Sequence, residues 1–240
     1  MDYQGHRLRH EYKYYINSFV YHVLRERFRH VLGADPNMEN EDGYIISSIY
    51  FDDLYGSAVN EKLAGVRFRK KYRIRLYNYQ DDVIKLECKS KYNNYISKVG
   101  VSLSRAEYDS ILNGDYEFLL SRKEDLCHEV YGEYVTKRLS PVTTVEYQRE
   151  AYVHQLGNVR LTFDKKLSAS IGSVDIFDKG YETVRVPIQE AMILEVKYDD
   201  YIPDYIWKIF QSEGMQNCAI SKYVMCRDIN RKVRIIWRHF

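Results

Sequence analysis

The sequence predicts an α+β fold: one large antiparallel sheet closed into a β-barrel, or tunnel, with a polar interior and helices packed outside. Three observations lead there. Strand-like alternation recurs along the chain, and capped amphipathic segments punctuate it. One segment also carries a basic residue at every second position, Arg67, Arg69, Lys71, Arg73 and Arg75, with Val66, Phe68, Tyr72, Ile74 and Leu76 between them and only Lys70 breaking the pattern. A strand sends alternate side chains to opposite faces, so this segment has a cationic face and a largely apolar one. Such a row of cations repels itself unless something anionic lies over it.

The elements follow in order. Arg9, Glu11, Lys13 and Tyr15 alternate with His10, Tyr12, Tyr14 and Ile16, which predicts a first strand. Ser18 can cap a helix whose apolar positions Val20, Val23, Leu24, Phe28 and Val31 follow helical spacing, with Gly33 as terminator. Residues 44–51 are apolar and β-rich, and a long strand over 66–79 turns at 78–82 into a return strand over 83–91. Ser104 and Glu107 form a capping box for a short helix ending at Gly114. A helix is expected over 117–139, stopping before Pro141. Further strands are expected over 142–152, 158–165, 183–188 and 192–198. Pro203 opens a helix through Ile206, Ile209 and Phe210 that closes at Gly214, and a last helix carries Ser221, Lys222 and Tyr223. The basic run Arg231-Lys232-Val233-Arg234 reads as a short strand or tail.

Composition sets the bounds. With 240 residues, 45% hydrophobic and 29% charged, the chain is globular and long enough for a substantial core. No Pro/Gly/Ser-rich linker or internal repeat divides it, so a single domain over 1–240 is expected. No apolar run approaches the roughly 20 residues that span a bilayer, and the N-terminus lacks the apolar centre of a signal peptide. A soluble, cytoplasmic chain is the expectation. Four scattered cysteines without a Cys-x-x-Cys pair argue against zinc or disulfide frameworks. The seven histidines show no ligand spacing either. Net charge is only +2, yet between Lys62 and Lys98 eleven Lys/Arg face three acids, Asp81, Asp82 and Glu87. Charge concentrated in this way suggests a site.

The alternation rule applied strand by strand sharpens that site. One strand presents Lys85, Glu87, Lys89 and Lys91, another Arg160, Thr162 and Asp164, and a third Glu195 and Lys197, each backed by apolar residues. Taken singly, each charged face is ordinary solvated surface. Closed into a barrel, together they line a polar tunnel. Guanidinium and ammonium groups there suit polyphosphate. Phosphoryl transfer also requires a divalent cation with an oxygen ligand, for which Glu195 and Glu87 are the candidates; ion pairing with a neighbouring cation is the rival account of each.

These residues resemble a family. Residues 71–77 (Lys-Tyr-Arg-Ile-Arg-Leu-Tyr), Leu86-Glu87-Cys88-Lys89 with Ser97-Lys98, and residues 145–149 (Val-Glu-Tyr-Gln-Arg) are similar to the catalytic domain of vacuolar transporter chaperone (VTC) polyphosphate polymerases. So are residues 160–164 (Arg-Leu-Thr-Phe-Asp), Leu194-Glu195-Val196-Lys197 and Ser221-Lys222-Tyr223, in the same order along nearly the whole chain. The resemblance implies a triphosphate tunnel metalloenzyme that moves the terminal phosphate of ATP onto a growing polyphosphate chain. It implies that Arg73, Arg75, Lys89 and Lys197 are catalytic, and that Lys13, Lys71, Lys85, Lys98, Arg149, Arg160, Ser221 and Lys222 hold phosphates or nucleotide. Glu195, with Glu87, would bind Mn²⁺ or Mg²⁺. Related hydrolases and cyclases begin Glu-x-Glu-x-Lys, whereas here residues 9–13 read Arg-His-Glu-Tyr-Lys, which favours the polymerase branch. The chain resembles stand-alone bacterial members, without regulatory domain or membrane helices. The implied partners are ATP and polyphosphate, with no nucleic acid and no membrane span. A triphosphate or polyphosphate hydrolase and a non-catalytic ATP/polyphosphate sensor are the alternatives within the fold. Single-stranded nucleic acid is the alternative outside it, and enclosed carboxylates suit it less well.

Overall fold

A computed structural model describes residues 2–3, 6–7, 9–93, 95–188, 192–211 and 215–237. Strands β1 (Asp2–Tyr3) and β2 (His6–Arg7) form a separate ribbon. The main sheet runs β3 (His10–Ile16), β4 (Gly33–Ala34), β5 (Tyr44–Asp52), β6 (Phe68–Tyr77), β7 (Gln80–Tyr92), β8 (Tyr95–Leu103), β9 (Ser140–His154), β10 (Val159–Gly172), β11 (Tyr181–Arg185) and β12 (Met192–Tyr198) in chain order. The helices are α1 (Ser18–Val31), α2 (Ser57–Leu63), α3 (Arg105–Leu112), α4 (Asp125–Lys137), α5 (Asp204–Gln211) and α6 (Lys222–Trp237). In space the strand order is β3-β12-β10-β9-β5-β6-β7-β8, with β4 on β9 and β11 on β10, all antiparallel.

Register assigns the two faces as alternation foretold. On the outer face Ile49, Ile74, Leu86 and Val101 pack with Tyr108 and Ile111 of α3 and Leu126 and Val130 of α4. Further round, Leu161, Phe163, Leu194 and Val196 pack with Leu24 and Phe28 of α1 and Ile206 and Phe210 of α5. Each such fully buried side chain contributes about 1.5–3 kcal/mol relative to exposure.

Two parts of the expected architecture need correction. The sheet is not a closed barrel: among the described residues its edge strands β3 and β8 meet at one isolated bridge, Arg9 to Ile96. Charged side chains occupy the gap instead, with Lys89 Nζ 2.9–3.0 Å from both carboxylate oxygens of Glu11, and the His10 and Tyr95 rings 5.4 Å apart. Nor do all helices pack outside. α6 rests on the concave face, where Cys226, Met225 and Ile229 meet Val145, Tyr147, Leu167 and Ala169. Tyr223 donates to Asp52 at 2.6 Å and Asn230 to Thr143 at 2.8 Å, tying the helix to the same face.

Smaller differences have local causes. Asn17, not Ser18, caps α1, because its extended backbone lets its side chain accept from the Val20 amide. Gly33 does not terminate that helix in a left-handed turn but opens β4. The helix expected over 117–139 is a 3₁₀ turn (Glu117–Ser121) followed by α4, and the capping box on α3 is present. The hairpin after β6 is tight, with Asn78 and Tyr79 both at positive φ. β8 was not expected as a strand. The basic run from Arg231 continues α6 rather than forming a strand or tail. Gly214, the expected end of α5, lies outside the described residues.

Candidate functional site

The side chains that alternate with the outer core point into the concave side and line two cavities of about 810 and 710 Å³. Glu11 of β3, Arg73 and Arg75 of β6, Lys89 of β7, Arg149 of β9 and Lys197 of β12 line both, so the two cavities are halves of one channel with a common waist. Lys85, Lys98 and Arg160 line only the first half, and Lys13, Lys71, Ser221, Lys222 and Glu195 only the second. In the second half eleven Lys/Arg face two carboxylates, Glu11 and Glu195. Arg69 lines this half too, while Arg67 is exposed and lines neither.

Register explains which charges meet. Glu195 lies opposite Lys13 on β3, and Lys197 opposite Glu11. Lys197 therefore bridges Glu195 at 3.0 Å and Glu11 at 3.7 Å, while Lys13 bridges Glu11 at 2.8 Å and Glu195 at 3.9 Å. Arg149 grips Asp164 with two bonds of 2.7 and 2.8 Å and reaches Glu195 at 3.0 Å. Lys222, at the head of α6, pairs with Asp164 at 2.5 Å. On the opposite wall Glu87 accepts from Arg73 Nε at 2.8 Å and from Lys98 at 2.7 Å, with Arg75 at 4.0 Å. Glu87 lines neither cavity half; it lies behind the arginines, where Gly100 of β8 gives it room. Arg160 is held by Asp35 and by the Tyr44 hydroxyl.

These pairings fix the charge states. Burial opposes ionisation of Glu195, but Lys197, Lys13, Lys222 and Arg149 outweigh it and hold the carboxyl well below its usual range. Glu11 is likewise pulled down, to about 2, by Lys13 and Lys89 against the effect of burial. Lys13 is raised, since Glu11 and Glu195 outweigh its burial. Two lysines move the other way. Burial, aided by Lys89, Arg69, Lys13 and Lys62, lowers Lys71 to about 7. Burial lowers Lys89 to about 8, with Lys13 and Lys197 aiding and Glu11 only partly offsetting. The channel therefore holds cations that burial and mutual repulsion strain, a state that an anion would relieve.

Every residue expected from the sequence to bind phosphate or metal lies at the channel wall except Glu87, which stands behind it. Three further residues belong to the site. Glu11 and Asp164 share the inner face by alternation alone and were legible there, whereas Asp35 sits in the loop after β4 and carries no periodic signal. Oxygen donors for a hard cation are present in Glu195 and Glu11, and Thr162 Oγ1, opposite Glu195 in the register, is buried with no hydrogen-bond partner among the described residues. Among the described residues no three His, Cys, Asp or Glu cluster as a ready-made metal cage. The donor set thus fits Mg²⁺ or Mn²⁺ that takes its remaining ligands from phosphate and water.

The model of one protein family, the VTC domain, matches residues 8–229. A search of curated proteins finds no match. Similar solved structures include the following two. One, from Bacillus halodurans, is described provisionally as an adenylate cyclase; it is 11% identical with a TM-score of 0.51, over 87% of this chain and 89% of that one. The other, from Vibrio parahaemolyticus and described in the same way, is 10% identical with a TM-score of 0.50, over 92% of this chain and 98% of that one. At such identities the likeness is one of fold. No helix among the described residues is long and apolar enough to cross a membrane.

Proposed function

The chain belongs to the VTC-domain family, and we propose that it transfers the terminal phosphate of ATP to a growing inorganic polyphosphate chain inside the basic channel, aided by Mn²⁺ or Mg²⁺. The observation that carries this reading is the surplus of cations around two ionised carboxylates in the second half of the channel. Arg73, Arg75, Lys89 and Lys197 all line the waist, which is where a donor phosphate from one half would meet an acceptor from the other. The attacking group is a phosphate oxygen of the polymer. It forms the new P–O bond as the bond to the β-phosphate bridging oxygen of ATP breaks, and ADP departs. That oxygen is already anionic, so no strong general base is required. The residues act by alignment and by neutralising charge that builds on the leaving oxygen.

Lys85, Lys98 and Arg160 would hold phosphates in one half, and Lys13, Lys71, Ser221 and Lys222 in the other, with Arg149 between. Glu195, supported by Glu11, would hold the cation. When bound, that cation would supply positive charge to offset the charge of the phosphates. Glu87 serves better as the group that fixes Arg73 than as a second ligand, since it lies behind the arginines and lines neither half of the channel. The test is purified protein with ATP and Mn²⁺, resolving long-chain polyphosphate from free phosphate. Polymer with ADP is expected, while free phosphate alone would favour a hydrolase and binding without turnover a sensor. Glu195→Gln is expected to abolish metal-dependent turnover; unaltered turnover refutes the metal assignment.

A further inference from the structure

A phenol stands among the cations of the channel. Tyr50 of β5 lies opposite Arg73 in the β5–β6 register and lines the second half of the channel. Its hydroxyl oxygen accepts from Arg73 Nη1 at 2.9 Å. The ring is fixed from behind by Tyr223 of α6, stacked at 4.9 Å with planes 22° apart. Tyr223 is itself anchored through its hydroxyl to Asp52.

A hydroxyl carries one proton and two lone pairs. Arg73 uses a lone pair, and among the described residues the Tyr50 proton has no acceptor. The groups around the oxygen are Arg73, Arg75 and Lys89, whose charges draw the phenol below its ordinary range although burial pushes it up. A donor on the wall of a cavity lined by cations is well matched to an incoming anion. We propose that Tyr50 is a further phosphate-binding residue, its hydroxyl donating a hydrogen bond to a phosphate oxygen seated beside Arg73 and Arg75. The donor is uncharged, so, like Ser221 in the same half of the channel, it adds direction without adding to the repulsion among the cations.

This inference rests on reading the channel as a phosphate site, and the test separates the two. Inorganic tripolyphosphate is titrated calorimetrically into the wild-type protein, Tyr50→Phe, Arg73→Lys and the double variant. Tyr50→Phe keeps the ring on Tyr223 and removes only the hydroxyl. It is expected to weaken tripolyphosphate about 10- to 100-fold, the range for a hydrogen bond to a charged group, by a similar factor in both backgrounds, with the ligand-free protein remaining folded and its melting temperature lowered by a few degrees, because Arg73 Nη1 loses an acceptor. Absence of binding by the wild type would overturn the phosphate reading and this inference with it. Binding by the wild type that Tyr50→Phe leaves intact would overturn the inference alone. A loss confined to the background that retains Arg73 would also overturn it, because Tyr50 would then act only through Arg73.

Discussion

Glu87→Gln separates a structural carboxylate from a metal ligand. Glu87 is 1% exposed and Arg73 8%, and the substitution removes the charge that balances the guanidinium while keeping the side-chain volume. Breaking a buried pair from one side costs about 3–5 kcal/mol. Lys98 is half exposed and adds little to that. At the typical unfolding entropy for a chain of this length, each kcal/mol lowers the melting temperature by about 2 °C, so a fall of about 6–10 °C is expected by calorimetry at pH 7. Tripolyphosphate would replace the missing charge beside Arg73, so it should raise the melting temperature of the variant more than that of the wild type. Mn²⁺ affinity, measured with tripolyphosphate present, should survive Glu87→Gln and fall in Glu195→Gln. The sign with pH follows from the lowered pKa of Glu87, drawn down chiefly by Arg73 and Arg75 against burial. Its stabilisation is present above the ordinary carboxylate range and lost only as pH falls towards the folded value, so the two proteins should converge in strong acid. A variant melting within about 2 °C of the wild type at pH 7, or one that has lost Mn²⁺ affinity, would refute the assignment.

Two further expectations concern protonation and backbone. Lys71 at about 7 and Lys89 at about 8 are partly neutral at pH 8 in the empty channel, and phosphate favours their charged forms. Tripolyphosphate binding should take up protons at pH 8, and its affinity should fall as pH rises from 7 to 9. Calorimetry in two buffers of different ionisation enthalpy measures this, and equal uptake by Lys71→Met and the wild type would count against it. Gly43 has φ +86°, and a Cβ there would stand 1.9 Å from the Arg149 carbonyl oxygen. Gly43→Ala should cost at least about 2 kcal/mol, about 4 °C in melting temperature, and weaken tripolyphosphate by shifting Arg149; a variant that melts and binds like the wild type contradicts that.

Much of the site was legible because period-two alternation is a strong local signal. Arg73 and Arg75 face inward because Ile74 and Leu76 must be buried outward, and the same logic places Glu195 and Lys197 against Leu194 and Val196. What one strand cannot reveal is its neighbour. That Lys197 faces Glu11, or that Glu87 lies behind Arg73, depends on register among strands far apart in sequence. Nor does helical spacing say which side of a sheet a helix covers. Met225, Cys226 and Ile229 mark a buried face of α6, but only the concave surface of Val145, Tyr147 and Ala169 shows that it packs inside. β8 carries the same signal, with Val99, Val101 and Leu103 outward and Lys98, Gly100 and Ser102 inward, but the polar Ser97 on its outward side and a strand-weakening glycine make that signal faint. Lys98 pairs with Glu87 at the channel wall, and Gly100 makes room for that carboxylate.

The incomplete closure between β3 and β8 has a mechanical consequence. Seven joints of the eight-stranded hoop are backbone ladders, which resist parting whatever the solution holds. At the eighth, one backbone hydrogen bond from Arg9 to Ile96 is reinforced by the clasp between Glu11 of β3 and Lys89 of the neighbouring β7, and a phosphate competing for Lys89 would weaken that clasp. The weakest part of the channel wall is then this single joint, and an anion held beside Lys89 would loosen it. A chain of phosphates would loosen the wall that surrounds it, which makes lateral release as natural for this shape as threading from one end.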